Sequence, residues 1–342
     1  MKKRNIIYIA TLLCMALASC GDKGDVLSDP NNREIALRAT VEEIKTIMRS
    51  EGAYIGTTPS SINNLDAAVW FSLESGYYPE ELPDTASEEM KALSAETNIP
   101  VHGEINYQSG TATFPDSENE ASQPKYPTTD HSVYCVGLYP KDDWTVSADG
   151  RYATHYISGT EDIMFAPEIS GKWDKHFTTQ RYHHMLTWLK VCVCTTTAEA
   201  SKYWGKLQEI TLKDMPKYLT IDLSIPESDS FKTKVVSSFS DTTEDKVIMQ
   251  SAEGLTMDII TQDVASVFCK PQQTYTLSIK CENGITKDIP ITLSVLEGED
   301  ESLLEHPSGL QYLLILYFHP FDVVEGVCTL NAWNAQNEDL YL

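Results

Sequence analysis

The chain has 342 residues, and its 50 Asp and Glu outnumber 26 Lys and Arg, which gives a formal net charge of -24. This length predicts two domains at roughly 100 to 200 residues each, and the 42% hydrophobic content with six Trp excludes a chain that is disordered throughout. Because a strongly acidic chain repels phosphate backbones, nucleic acid is excluded as the expected partner.

Residues 1–19 are typical of an export signal, with a basic start at Lys2 to Arg4 and an apolar stretch from Ile6 to Ala18. The stretch is shorter than the about 20 residues that a membrane-spanning helix needs. The small residues before Cys20 resemble the lipobox of bacterial lipoproteins, in which the cysteine is acylated and becomes the mature N-terminus. We therefore expect Cys20 to carry the lipid, palmitate included, as the only membrane attachment.

The next segment, residues 20–32, is rich in Gly, Asp and Asn and is interpreted as a flexible tether. The first predicted strand follows within residues 33–49. Apolar residues alternate there with more polar ones, as they do along a strand with one buried face. The residues that would share the buried face are Ile35, Leu37, Ala39 and Val41.

The same alternation recurs along the chain and predicts an all-β protein. Its further stretches are Val69 to Leu73, Val133 to Cys135, Leu219 to Ile225, Tyr275 to Cys281 and Ile289 to Val295. Turn-forming pairs such as Asn283-Gly284 connect them, which favours antiparallel sandwiches over a parallel α/β fold. We therefore predict two antiparallel β-sandwich domains with long loops and at most one or two short helices.

Helix signals are few. Thr85 and Glu88 resemble a capping box, which predicts one short helix ending near Ala95, while residues 79–130 are otherwise interpreted as loops. The Pro, Gly and charged residues near position 170 separate two apolar stretches. The predicted domains are therefore residues 33–170 and 171–342.

No local signature of a nucleotide site, a serine hydrolase or a zinc protease occurs in the sequence. The paired carboxylates of a glycosidase leave no short motif, so a secreted glycosidase stays an alternative that the sequence cannot place. The prediction is a protein without enzymatic activity or cofactor. His183-His184 and Cys192-x-Cys194 could ligate a metal, but they lack a matching ligand pair, so we interpret them as core residues and predict no metal site.

Six cysteines remain besides Cys14 in the signal and Cys20, namely Cys135, Cys192, Cys194, Cys269, Cys281 and Cys328. An even number in an oxidising export route allows disulfides. Four of the six lie in apolar alternating stretches, where cysteine behaves as a small buried hydrophobe. Buried free thiols are the favoured interpretation, and disulfides stay open.

Three segments resemble, in their order along the chain, motifs of the fimbrillin-like subunits of type V pili. They are Met48-Arg49-Ser50, Asp162 to Ala166 and Tyr182 to Leu189, and the stretch from Tyr312 to Trp333 also fits. The resemblance covers nearly the whole chain. It implies two transthyretin-like β-sandwich domains in a structural subunit of a surface fibre that contributes to adhesion.

The resemblance also implies how such a subunit matures. A protease specific for arginine cuts between Arg49 and Ser50, the first strand is lost, and a strand of a neighbouring subunit fills the groove. The implied partners are other pilus subunits, outer-membrane lipid through Cys20 before maturation, and a ligand on a host or bacterial surface. The implied location is the outer membrane surface and, after processing, the fimbrium.

The C-terminal residues depart from the pattern of a shaft subunit, which needs a donor segment with alternating apolar residues. After Trp333 only Leu340 and Leu342 alternate, although a donor could begin at Cys328. Shaft, tip and anchor roles therefore stay open. The alternative from another class is a surface glycan-binding lipoprotein, in which Tyr77-Tyr78 and tryptophans stack on sugars and residues 20–49 are retained.

Overall fold

The computed structural model describes most of the chain after residue 65 and a short part before it. The described residues are 33, 35, 37, 39–41, 66–106, 111–113, 123–226, 237–294, 309–321 and 323–331. Strands dominate them and only two short helices occur among them, which confirms the predicted all-β fold. The predicted signal, tether, Cys20 and the Arg49–Ser50 junction lie outside the described residues. Neither helix among these residues has the length and apolar character to cross a bilayer.

The first sheet has seven strands. They are β1 (Ala39–Val41), β2 (Asp66–Ser72), β3 (Val101–Asn106), β4 (Thr111–Thr113), β5 (Val133–Tyr139), β8 (Met164–Gly171) and β9 (Gln180–His184). Their order in space is β1-β9-β8-β5-β2-β3-β4. All neighbours are antiparallel except β1 and β9, which run parallel.

A four-stranded sheet packs against one face of the first sheet. Its strands are β6 (Thr145–Val146), β7 (Tyr152–Tyr156), β12 (Tyr218–Asp222) and β13 (Ser237–Phe239), in the order β13-β12-β7-β6. Trp70 and Phe165 of the first sheet share one buried cluster with Leu219 and Ile221 of the second. The two sheets therefore form a sandwich, as the alternating residues predict.

The sheets are not divided at residue 170. Strands β9, β12 and β13 follow that position in the sequence, yet they pair with strands that precede it or with each other in the first sandwich. Periodicity shows which face of a strand is buried, but it does not show which sheet the strand joins. The division into domains 33–170 and 171–342 stays a prediction.

The remaining strands form an eight-stranded sheet. They are β10 (Thr187–Thr195), β11 (Lys206–Pro216), β14 (Thr243–Thr256), β15 (Gln262–Cys269), β16 (Thr274–Cys281), β17 (Thr286–Ser294), β18 (Gln311–His319) and β19 (Val323–Asn331). Their order is β14-β11-β16-β17-β19-β18-β10-β15. Only two residue pairs join β17 to β19, so the sheet divides there into one half with β14, β11, β16 and β17 and another with β19, β18, β10 and β15. Buried residues of both halves form one cluster. The two halves thus enclose a second core.

Two strand pairs of this sheet, β10 with β18 and β17 with β19, are parallel. The sequence predicts antiparallel sandwiches, and most neighbours fit that prediction. A parallel pair needs a long connection, and more than 100 residues separate β10 from β18 along the chain. Such a pairing leaves no local turn signal in the sequence.

The two helices are α1 (Glu88–Thr97) and α2 (Ala198–Trp204). The N-cap of α1 is Ser87 rather than the predicted Thr85, because Ser87 has extended backbone angles and its Oγ accepts a 3.1 Å hydrogen bond from the amide of Met90. Residues 79–130 also contain β3 and β4, so the prediction of loops there is wrong. Strand β3 is stabilised by its distant neighbour β2.

A stacked pair on the first sheet predicts acid sensitivity. The rings of Trp70 and His102 lie 4.2 Å apart at 12°, and burial lowers the pKa of His102 to about 4. The unfolded chain therefore binds more protons between about pH 6.5 and pH 4, so stability falls as the pH falls through this window. We expect urea unfolding to show that the free energy of unfolding falls between pH 7 and pH 4.5. In the His102→Phe variant this fall should be about 2 kcal/mol smaller than in the unchanged chain.

The matched control for this prediction is His319→Phe, which changes a more exposed ring of the eight-stranded sheet. This control should leave the loss between pH 7 and pH 4.5 unchanged. An equal loss of stability in the His102→Phe variant and in the unchanged chain would contradict the assignment.

Candidate strand-exchange site

Strand β1 lies at the edge of the seven-stranded sheet and pairs, among the described strands, with β9 alone. Ala39 lies beside Gln180, Thr40 beside Arg181 and Val41 beside Tyr182. An edge strand is bound through one ladder of hydrogen bonds only. Its removal would therefore break the contacts of β1 without separating any other pair of strands.

The segment before β1 contributes apolar side chains to the core. Leu37 is 6% exposed and belongs to the buried cluster on the face of the sheet opposite the four-stranded sheet. Ile35 is half-buried against the same cluster. The predicted strand covers residues 33–49, whereas the described strand covers Ala39–Val41, whose side chains lie outside the described parts.

Large apolar and aromatic side chains share the cluster with Leu37. Tyr126, Tyr182 and Ile99 are fully buried in it. The hydroxyl of Tyr126 accepts a 3.0 Å hydrogen bond from the amide of Phe177, and burial raises the pKa of Tyr126. Removal of Leu37 would therefore expose an apolar surface rather than groups that bind water.

Tyr182 forms part of this core and needs a glycine to fit. It lies on β9 next to β1, and its hydroxyl donates a 3.2 Å hydrogen bond to the carbonyl of Ala68 on β2. On the way it passes Gly137 of β5, where an added Cβ would lie 2.2 Å from the tyrosine oxygen. Position 137 therefore accommodates no side chain while Tyr182 keeps this position.

A buried hydrogen bond joins two of the segments that carry the family resemblance. Asp162 bonds to Nδ1 of His184 with only 10% and 8% of the two side chains exposed. Strand pairing places Met164 beside His184 and Phe165 beside His183. The sequence contains both segments but no signal that Asp162 and His184 meet, since 22 residues separate them.

Glu168 of β8 carries a second buried carboxylate, and no pattern in the sequence predicted its burial or its contacts. It accepts hydrogen bonds from the Ser75 hydroxyl (2.6 Å), the Gly76 amide (2.6 Å) and the Tyr78 hydroxyl (2.8 Å). Burial and then this carboxylate raise the pKa of Tyr78. Because all three donors are protein groups, Glu168 anchors the loop after β2 rather than binding a ligand.

The cysteines and histidines form no metal centre among the residues that the structure describes, because no three potential ligands lie together there. All six described cysteines are buried and none is joined to another in a disulfide, which agrees with the favoured interpretation. Burial raises the pKa of Cys135, whose sulfur lies 3.7 Å from Nε2 of Gln180. These thiols are core residues.

No protein family model and no curated protein matches the chain. It is similar to solved structures of two candidate cell adhesion proteins, both at 14% identity and TM-score 0.48. The first, from Bacteroides uniformis, is matched over 79% of this chain and 92% of its own. The second, from Bacteroides ovatus, is matched over 89% and 99%.

A candidate polysaccharide binding protein from Bacteroides thetaiotaomicron is also similar, at 8% identity and TM-score 0.43 over 78% of this chain and 88% of its own. At identities of 14% or less and TM-scores below 0.5, these similarities assign no function to this chain.

Proposed function

We propose that this protein is a structural subunit of a cell-surface fibre that assembles by strand addition and contributes to adhesion. It is exported as an outer-membrane lipoprotein acylated on Cys20, and it matures by cleavage between Arg49 and Ser50. The observation that supports the proposal is the position of β1, an edge strand preceded by the buried Leu37. No catalytic role is part of this function.

Loss of residues 20–49 would create an acceptor groove. It removes β1 and Leu37 together, so the backbone edge of β9 and the apolar cluster beneath become accessible at the same time. Burying one leucine side chain is worth about 1.5–3 kcal/mol, and a ladder of hydrogen bonds adds to this. A strand of another subunit regains both if it alternates in the same register.

Charge does not drive the exchange. The lipidated chain without residues 1–19 has 23 basic and 50 acidic groups, or -27, and residues 20–49 carry five basic and six acidic groups. Cleavage therefore changes the net charge only from -27 to -26. The driving force has to come from the vacated apolar groove.

Arg49 is the arginine that fits this scheme. Cutting there releases the complete segment from Leu37 through β1, whereas Arg33 precedes that segment and Arg38 lies inside it. We expect Arg49→Ala to block maturation and incorporation into fibres. N-terminal sequencing of the surface protein and gels of detergent-stable polymers measure both effects.

Arg33→Ala is the matched control, and it should mature to a chain that begins at Ser50. If Arg49→Ala chains appear in detergent-stable ladders with residues 20–49 still attached, strand replacement is wrong. The better assignment is then an anchor subunit that keeps its lipid and its first strand.

A further inference from the structure

The outer face of the four-stranded sheet carries three exposed tyrosines. Tyr152 and Tyr156 on β7 and Tyr218 on β12 are 36%, 42% and 43% exposed. The residues between them on the inner face, such as Ala153 and Leu219, are fully buried in the first sandwich. The tyrosines therefore contribute to a solvent-facing surface, and we call this outer face of β6, β7, β12 and β13 the tyrosine face.

A row of hydroxyl side chains crosses the tyrosine face between the tyrosines. Strand register aligns Thr145, Thr154, Thr220 and Ser238. The hydroxyls of Thr154 and Thr220 lie 2.9 Å apart. With neighbouring strands about 4.8 Å apart, the row extends for about 14 Å and offers donors and acceptors at regular spacing.

The aromatic rings on one side of the row are held in place. Tyr156 and Tyr218 lie directly opposite each other, with ring centroids 5.9 Å apart in an edge-to-face arrangement. The Tyr156 hydroxyl donates to Glu244 at 2.6 Å and accepts from Lys246 at 2.7 Å. Rings fixed before binding lose little side-chain entropy when a ligand stacks on them.

The charged side chains that form ion pairs beside the tyrosine face are of both signs, although the chain as a whole carries -24. Arg151 pairs with Asp222 at 3.2 Å, and Glu244 pairs with Lys217 at 3.5 Å and with Lys246. Together with Asp149, which accepts a hydrogen bond from the amide of Arg151, these paired groups of the described residues are three basic and three acidic. A balanced surface of this kind favours an uncharged ligand over an anion or a cation.

We propose that the tyrosine face binds a neutral oligosaccharide. The C–H groups on one side of a sugar ring carry partial positive charge and pack on the electron-rich face of a tyrosine ring, while the threonine and serine hydroxyls bond the sugar hydroxyls. Tyr152 and Tyr156 are four residues apart, or about 13 Å along the strand. A flat surface of this length suits a chain of several sugars better than a single one.

The test is titration of the full chain with neutral hexasaccharides of glucose, mannose, galactose and xylose, up to about 5 mM, with hexagalacturonate as the anionic comparison. We expect millimolar or tighter binding of at least one neutral probe, unchanged by added salt. Tyr218→Ala should weaken it at least about tenfold, and Thr220→Val, which removes a hydroxyl at nearly constant volume, should weaken it several-fold.

Tyr203→Ala is the matched control, because Tyr203 is 39% exposed on α2, outside the tyrosine face, and it should leave binding unchanged. The proposal would be overturned if no neutral probe binds or if hexagalacturonate alone binds. It would also be overturned if the Tyr218→Ala and Thr220→Val variants bind as tightly as the unchanged chain. The Arg49→Ala chain should bind normally, since β1 is not part of the tyrosine face, so this result is independent of strand exchange.

Discussion

Replacing Leu37 with Asp should destabilise the uncut chain by about 3–5 kcal/mol. Leu37 is 6% exposed and shares its cluster with Ile99, Tyr126 and Tyr182. A carboxylate there would lose its hydration without gaining a partner of opposite charge, and the leucine contacts would be lost as well. Urea unfolding of the chain that retains residues 20–49 measures the effect.

The control is Ile260→Asp, the same kind of change at a residue that is 71% exposed between β14 and β15. It should alter stability by no more than about 0.5 kcal/mol. A mature chain that begins at Ser50 no longer contains Leu37, so its stability has to be independent of the substitution made in the precursor. If Leu37→Asp is as harmless as Ile260→Asp, the segment before β1 does not contribute to the core, and the proposed groove is wrong.

The second large effect is expected for Gly137→Ala, at about 3 kcal/mol of lost stability. The added methyl would lie 2.2 Å from the Tyr182 oxygen, so the tyrosine has to move and its hydrogen bond to Ala68 is lost. Tyr182 lies beside Val41 in the register of β9 and β1. The displacement should therefore also loosen the edge on which the proposed strand exchange depends.

A double-mutant cycle separates this clash from a general intolerance of alanine in β5. Tyr182→Leu removes the ring that passes Gly137, so Gly137→Ala should cost clearly less in that background than in the unchanged chain. Equal costs of Gly137→Ala in both backgrounds would show that Tyr182 does not determine the need for glycine at this position.

Period-two alternation predicts the buried faces of the strands well. Leu219 and Ile221 on β12, and Leu277 and Ile279 on β16, are all fully buried as the pattern indicates. The reason is that a strand places successive side chains on opposite faces whatever its neighbour is. The inner face of a strand can therefore be read locally.

Strand partners and site contacts could not be read locally. The parallel pairing of β1 with β9 joins residues about 140 positions apart in the chain. The requirement for Gly137 appears only when Tyr182 is placed over it, and Glu168 acquires its donors from a loop 90 to 93 residues earlier. Each of these contacts depends on register between distant strands, which alternation leaves undetermined.

The tyrosine face can be recognised in the sequence, but by aromatic residues on the outer face of a strand. The strands themselves were predicted from apolar residues on the inner face. In β7 the order Tyr-Ala-Thr-His-Tyr places the aromatic residues outward and the small Ala153 inward. A search for large apolar residues on the inner face passes over such a strand. Exposed aromatic residues that alternate with buried ones, here Ala153 and His155, are the pattern that would have revealed it.

The return of β12 and β13 to the first sandwich has a consequence for the order of folding. A chain that is synthesised from its N-terminus cannot complete that sandwich until Phe239 has emerged. Until then only β6 and β7 of the four-stranded sheet are present to cover the face of the seven-stranded sheet that carries Trp70 and Phe165. A fragment cut at residue 170 keeps this defect permanently, because it lacks β9, β12 and β13. The nascent chain is thus most vulnerable to aggregation and proteolysis midway through its synthesis, well before its last strand is available.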